Sequence, residues 1–85
     1  GVKRNDILIK LTAKEFQLLE YLLRNKNRVV SRADIAVNVW DIDFDTNTNI
    51  IDVYINYVRN KVDKPFADKL IHTQVGMGYM LKENS

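Results

Sequence analysis

No cysteine occurs among the 85 residues, so no disulfide can staple this chain and no thiolate is available as a nucleophile or metal ligand. A single histidine, His72, cannot by itself build a zinc site or a catalytic triad, and no cofactor or metal is expected. Apolar residues never approach the roughly 18 in succession that a spanning helix requires. The opening Gly1-Val2-Lys3-Arg4-Asn5-Asp6 has a basic start without the apolar run of a secretory leader, so no membrane partner and a cytoplasmic location are expected. Glycine appears three times and proline once, so capping residues, more than these breakers, must punctuate the chain.

What is present suffices for one small core: 46% of residues are hydrophobic, with Trp40, four tyrosines and three phenylalanines among them. One domain over 1–85 is expected. Net charge is only +2, but Asp41, Asp43 and Asp45 sit in one short segment. Elsewhere thirteen cations face eight acids, or +5, so a basic body with an acidic loop suggests two different partners.

Several units follow one another. Val2 to Leu11, broken by Asn5-Asp6, reads as a small hairpin or as one strand with a lead-in. Thr12-Ala13-Lys14-Glu15 matches a capping box that opens a first helix with apolar positions Phe16, Leu19, Leu22 and Leu23. After the extended link Val29-Val30, Ser31 caps a second helix, with Ile35, Ala36, Val39 and Trp40 on one face. Asp41 to Asn47 has no helical stripe and reads as a loop. A third helix begins between Thr46 and Asn49 and is stopped by Pro65, which lacks the N–H to continue. Leu70–Thr73 and Tyr79–Leu81 then flank Gly76-Met77-Gly78 as a second hairpin. Three helices and a terminal hairpin, in this order, are the α+β pattern of a winged helix-turn-helix.

On the third helix, a turn of 100° per residue gathers Ile51, Ile55, Val58 and Val62 into an inward stripe. Asn49, Asp52, Val53, Asn56 and Asn60 face the other way, with Tyr57 and Arg59 at the flanks. Asparagine can pair with adenine through two hydrogen bonds, and a valine can pack on a thymine methyl. A merely solvated face would look the same. Against DNA stand the scarcity of cations, with Arg59 alone between Thr46 and Asn60, and Asp52, which repels phosphate. Arg32, Arg59, Lys61 and Lys69 are the candidate cations, Arg32 foremost because free N–H groups at a helix start also attract phosphate. His72 reads as an exposed strand residue, and Tyr79 as either core or a hydroxyl donor to phosphate.

Four blocks carry a resemblance. They are Leu11-Thr12-Ala13-Lys14-Glu15-Phe16; Ser31-Arg32 with Val39-Trp40; Ile51-Asp52-Val53-Tyr54-Ile55 running to Arg59-Asn60-Lys61-Val62-Asp63; and Ile71-His72-Thr73 with Gly76-Met77-Gly78-Tyr79. From about Val2 to Lys82 the chain resembles the DNA-binding effector domain of OmpR/PhoB-type two-component response regulators. Trp40 to Asn49 and Asp63-Lys64-Pro65-Phe66 look most like the heavy-metal (copper and silver) responsive subgroup.

The resemblance implies double-stranded DNA as partner, bound as a direct repeat, with helix 47–64 in the major groove and hairpin 70–82 as wing. Base contacts fall on Asn49, Val53, Asn56 and Tyr57, and phosphate contacts on Arg32, Trp40, Thr73 and Tyr79, to which Arg59 and Lys61 are added as cations. Val75, Gly76, Met77 and Gly78 form the wing tip. The loop Asp41, Ile42, Asp43, Phe44 and Asp45 would face RNA polymerase. A histidine kinase would act through a receiver domain that this chain does not contain.

Two departures stand out: Asn56 and Tyr57 replace the cations usual on the recognition helix, and Val75 replaces an arginine usual before the wing glycines. Weaker and less salt-dependent DNA binding is therefore expected, since each lost cation lowers the salt slope by about one. The family's opening four-stranded sheet would be truncated here, which exposes helix 1 and favours a homodimer by strand exchange. The alternative is a winged helix used only for protein contact. No enzyme is expected, as there is neither a Ser–His–acid spacing nor a nucleotide cradle.

Overall fold

Asn5 and Asp6 both adopt positive φ (52° and 65°), the backbone of a two-residue hairpin turn whose twist suits antiparallel strands. In the computed structural model, which describes residues 2–41, 49–66 and 68–83, this turn joins β1 (Val2–Arg4) to β2 (Ile7–Ile9), with Val2 opposite Ile9 and Arg4 opposite Ile7. The hairpin reading is the one that forms.

Thr12 caps α1 (Ala13–Arg24): its hydroxyl accepts from the Glu15 N–H, and the Glu15 carboxylate accepts from the Thr12 N–H at 2.8 Å. The buried arc of α1 is Glu15, Leu18, Leu19 and Leu22, which corrects the expected stripe. Phe16 and Leu23 are 41% and 46% exposed, whereas Leu18 is fully enclosed. An apolar count had passed over Glu15, and once its carboxylate is satisfied inside the protein the true face lies at i, i+3, i+4 and i+7 from it.

Ser31 caps α2 (Arg32–Ile35), accepting from the Asp34 N–H at 3.0 Å. The chain continues directly as a π-helical turn, Ala36–Trp40, which ends at Asp41 in the left-handed region with φ of 54°. Ile35 and Ala36 are buried and Val39 and Trp40 partly so, which keeps the expected face in a wider coil. Helix α3 (Asn49–Val62) buries Ile51, Ile55, Val58 and Val62, the stripe read from the sequence.

The second hairpin pairs β3 (Ile71–Gln74) with β4 (Gly78–Leu81), so the loop is Val75-Gly76-Met77. On its other edge β4 pairs with the link before α2: the Val30 N–H donates to the Tyr79 carbonyl at 2.8 Å, and the Tyr79 N–H to the Val30 carbonyl at 2.9 Å. Gly78 is required by this approach, since its φ is +143° and a Cβ there would stand 2.0 Å from the Val30 carbonyl oxygen. Helices α1, α2 and α3 and the inner faces of both hairpins close one core, through Ile9, Leu18, Leu22, Ile35, Ile55 and Leu81. The architecture is the winged helix.

Asp63, 4% exposed, ties the pieces that hold α3 in place. Its carboxylate accepts from the Leu70 N–H at 2.9 Å and the Ile71 N–H at 3.0 Å, and pairs with the Arg4 guanidinium at 3.2 Å. Arg4 also donates to the Val62 and Asp68 carbonyls and lies 4.5 Å over the Phe66 ring. One buried carboxylate thus joins the end of α3, the start of the wing and the N-terminal hairpin.

Candidate nucleic-acid interface

Because its aliphatic stripe faces the core, α3 turns Asn49, Val53, Asn56, Tyr57 and Asn60 to solvent. Val53 and Tyr57 are 41% and 49% exposed, too open for core residues. The amides are not packed inside the protein. A ladder of edge-to-face rings runs along one flank, from Trp40 to Tyr54 at 5.1 Å and from Tyr54 to Tyr57 at 5.5 Å, with the Lys14 ammonium 5.5 Å over Trp40. These contacts fix Tyr57 against the helix.

The other flank carries the charge. Arg59 donates from Nη2 to the Thr73 hydroxyl at 2.5 Å and lies 5.4 Å over the Tyr79 ring, so α3 and β3 present one joint surface. Tyr79 belongs to the core, 8% exposed, yet its hydroxyl reaches out and donates to Asp52 Oδ1. The core reading of Tyr79 therefore holds for the ring, while its hydroxyl proton is given to Asp52. Burial first, then the hydrogen bond to Asp52 and its charge, push the phenol up to about 12 against the pull of Arg59 and Arg32. Asp52 Oδ2 stands 3.5 Å from Arg32 Nη1. The acid that seemed only to repel phosphate is thus held between a guanidinium and a phenol.

Arg32, Thr73, Gln74, Met77, Gly78 and Tyr79 line a cleft of about 330 Å³ between the start of α2 and the wing. At the wing tip Val75 is 92% and Met77 64% exposed, and Gly76, with φ of +77°, has open space around it.

Not every expected residue joins this surface. Lys61 reaches the opposite flank and donates to Glu15 Oε1 at 2.6 Å, closing α3 onto the cap of α1. Burial raises the Glu15 carboxyl, but the hydrogen bonds from Lys61 and the Thr12 N–H outweigh it and hold the group below the ordinary carboxylate range. Lys69 donates to the Asp63 and Phe66 carbonyls. His72, expected exposed, is half-buried opposite Met80 of β4, and its Nε2 is enclosed without a hydrogen-bond partner among the described residues. Of the expected polymerase-facing loop only Asp41 is described, and it is exposed; Ile42, Asp43, Phe44 and Asp45 lie outside the described residues. Among the described residues no group of His, Cys, Asp and Glu could hold a metal ion, and no helix is long and apolar enough to cross a membrane.

Residues 5–81 match the family described as "Transcriptional regulatory protein, C terminal". The transcriptional regulatory protein CusR of Escherichia coli K12 is 49% identical over 81 residues, which are 95% of this chain and 36% of that protein. The transcriptional activator protein IrlR of Burkholderia pseudomallei (strain 1026b) is 45% identical over 85 residues, all of this chain and 37% of that protein. The chain therefore spans about a third of the length of these relatives. Among solved structures, the DNA-binding domain of CpxR from E. coli superposes with a TM-score of 0.78 at 28% identity, over 91% of this chain and 76% of that one.

Proposed function

From the premise that the chain belongs to the family of C-terminal domains of transcriptional regulatory proteins, of the OmpR/PhoB type, we propose that it binds double-stranded DNA sequence-specifically as the output domain of a two-component response regulator. Helix α3 enters the major groove, where Asn49, Val53, Asn56 and Tyr57 meet base edges. Arg32, Arg59 and Thr73 contact phosphates, with Trp40 on the far flank and the tip Val75–Gly78 as the wing. Lys61 and the Tyr79 hydroxyl are withdrawn from this set, because Glu15 holds the one and Asp52 the other. The observation that carries the reading is the convergence of two guanidinium groups and the Thr73 hydroxyl beside a helix face of amides and one small apolar side chain.

The same reading places a second copy on a direct repeat, RNA polymerase at the loop 41–45, a histidine kinase acting on a separate receiver domain, and the protein in the cytoplasm. Likeness to CusR supports membership of the heavy-metal subgroup. Exposed Ile7 and Leu8 on the N-terminal hairpin support pairing of two copies by strand exchange.

Selection from random duplexes tests the reading directly. The chain should enrich one sequence, Asn56→Ala should lose about 1–3 kcal/mol and relax preference at one base position, and fewer than six ions should be released in a salt titration. Absence of any enriched sequence would favour a winged helix that contacts only protein.

A further inference from the structure

Asp52 sits inside the surface read above as facing phosphate, and the inference drawn from it rests on that reading. Its two oxygens are divided: Oδ1 takes the Tyr79 hydroxyl and Oδ2 faces Arg32 at 3.5 Å. Both members of the ion pair are well exposed, Arg32 at 45% and Asp52 at 38%, so the pair contributes little to stability. The carboxylate nevertheless lowers the attraction of Arg32 and Arg59 for any phosphate that approaches. It also bridges three elements, α2 through Arg32, α3 through its own backbone and β4 through Tyr79.

We propose that Asp52 is a positioning residue that sets DNA specificity, by weakening the pull of this surface on arbitrary phosphates and by fixing where the Arg32 guanidinium, with its remaining N–H donors, stands. The two effects separate in their consequences. Charge compensation weakens every DNA complex alike, because the electrostatic term is blind to sequence. Fixed donors favour only a complex whose phosphates fall at one register relative to α3, which is the complex in which the bases fit. Removing the carboxylate therefore strengthens binding to unrelated DNA while the selected site gains less, or loses.

The experiment measures fluorescence anisotropy of the full chain with two labelled duplexes, one selected from a random pool by the wild-type chain and one scrambled, across a salt series. For Asp52→Asn the scrambled duplex should bind roughly three- to tenfold tighter near 0.1 M salt, with a slope steeper by about one ion. The ratio between the two duplexes should fall several-fold. Asp52→Ser, which removes the charge with less volume, should move all three quantities the same way. In an Arg32→Gln background the gain from Asp52→Asn should shrink to a small remainder. An unchanged ratio, equal weakening on both duplexes, or a gain undiminished without Arg32 would overturn the assignment. A wild-type chain that enriches no duplex would sink the DNA reading as well, and so the two failures are distinct.

Discussion

Replacing Asp63 by alanine removes the carboxylate that accepts from two backbone N–H groups and one partner of a nearly buried guanidinium. The Leu70 and Ile71 N–H groups donate to it at 2.9 and 3.0 Å, and Arg4 approaches at 3.2 Å. An orphaned buried N–H costs about 1–3 kcal/mol, and breaking a buried pair by deleting one member about 3–5. These overlap, and Arg4 keeps the Val62 and Asp68 carbonyls, so the expected loss is about 4 kcal/mol, near the middle of those ranges. A domain of 85 residues holds about 4–13 kcal/mol in total, at roughly 0.05–0.15 per residue. Asp63→Ala thus brings the fold to the edge of stability or removes most of its margin. Urea unfolding followed by circular dichroism reads this directly: with m of about 1 kcal/mol/M the midpoint falls by about 4 M or vanishes into the baseline. Arg4→Met also breaks the pair and removes the guanidinium over Phe66, but Asp63 keeps both N–H donors, so the loss should be somewhat smaller, about 3 kcal/mol. The double variant should then be less destabilised than the two losses added together. A midpoint shift under about 1 M for Asp63→Ala, at unchanged m, would show that other acceptors serve these N–H groups and would refute the account.

The two wing glycines should respond very differently to alanine. Gly76→Ala meets open space and carries only the strain of positive φ, about 1 kcal/mol, whereas Gly78→Ala collides with the Val30 carbonyl and should cost more than about 3 kcal/mol in thermal or urea unfolding. Equal losses would remove the argument for a close approach at Gly78. Glu15 provides a pH test: its carboxyl lies lower in the fold than its ordinary 4.5, so its contribution is complete above about pH 5.5 and is lost as acid protonates it through that region and below. Glu15→Gln keeps the cap acceptor, abolishes the charge on Lys61's partner, and should flatten the midpoint-versus-pH curve between about pH 5.5 and 3. A variant curve parallel to wild type would exclude Glu15 as the source.

The parts legible in the sequence were those governed by near neighbours. Thr12 and Ser31 announce helix starts because a cap is satisfied within three residues, and Ile51, Ile55, Val58 and Val62 reveal the buried side of α3 by spacing alone. Residues whose partners lie far along the chain could not be read this way. Glu15 meets Lys61 across 46 positions and Arg4 meets Asp63 across 59, so neither pairing leaves a local signal. The same blindness misplaced the α1 stripe, since a satisfied carboxylate can occupy a core position that hydrophobicity assigns to Phe16. The π-helical turn at Ala36–Trp40 has no local signal that separates it from an ordinary helix.

These distant pairings also alter how the charge should be counted. From composition the chain offers thirteen cations, and the natural inference is that those near α3 are free for phosphate. Among the described residues five of them pair with carboxylates, and three of those pairs involve α3 or the residue that follows it: Arg4 with Asp63, Lys61 with Glu15 and Arg32 with Asp52. Only the last pair lies on the surface proposed to meet DNA, and it is the most loosely held, at 3.5 Å and largely exposed. Arg59 is turned toward a hydroxyl and a ring instead of an acid. A shallow salt dependence then follows from the arrangement of acids as much as from the missing cations. The first two pairs position α3 against α1 and the wing, and the third sets how strongly that positioned helix is drawn to any phosphate at all.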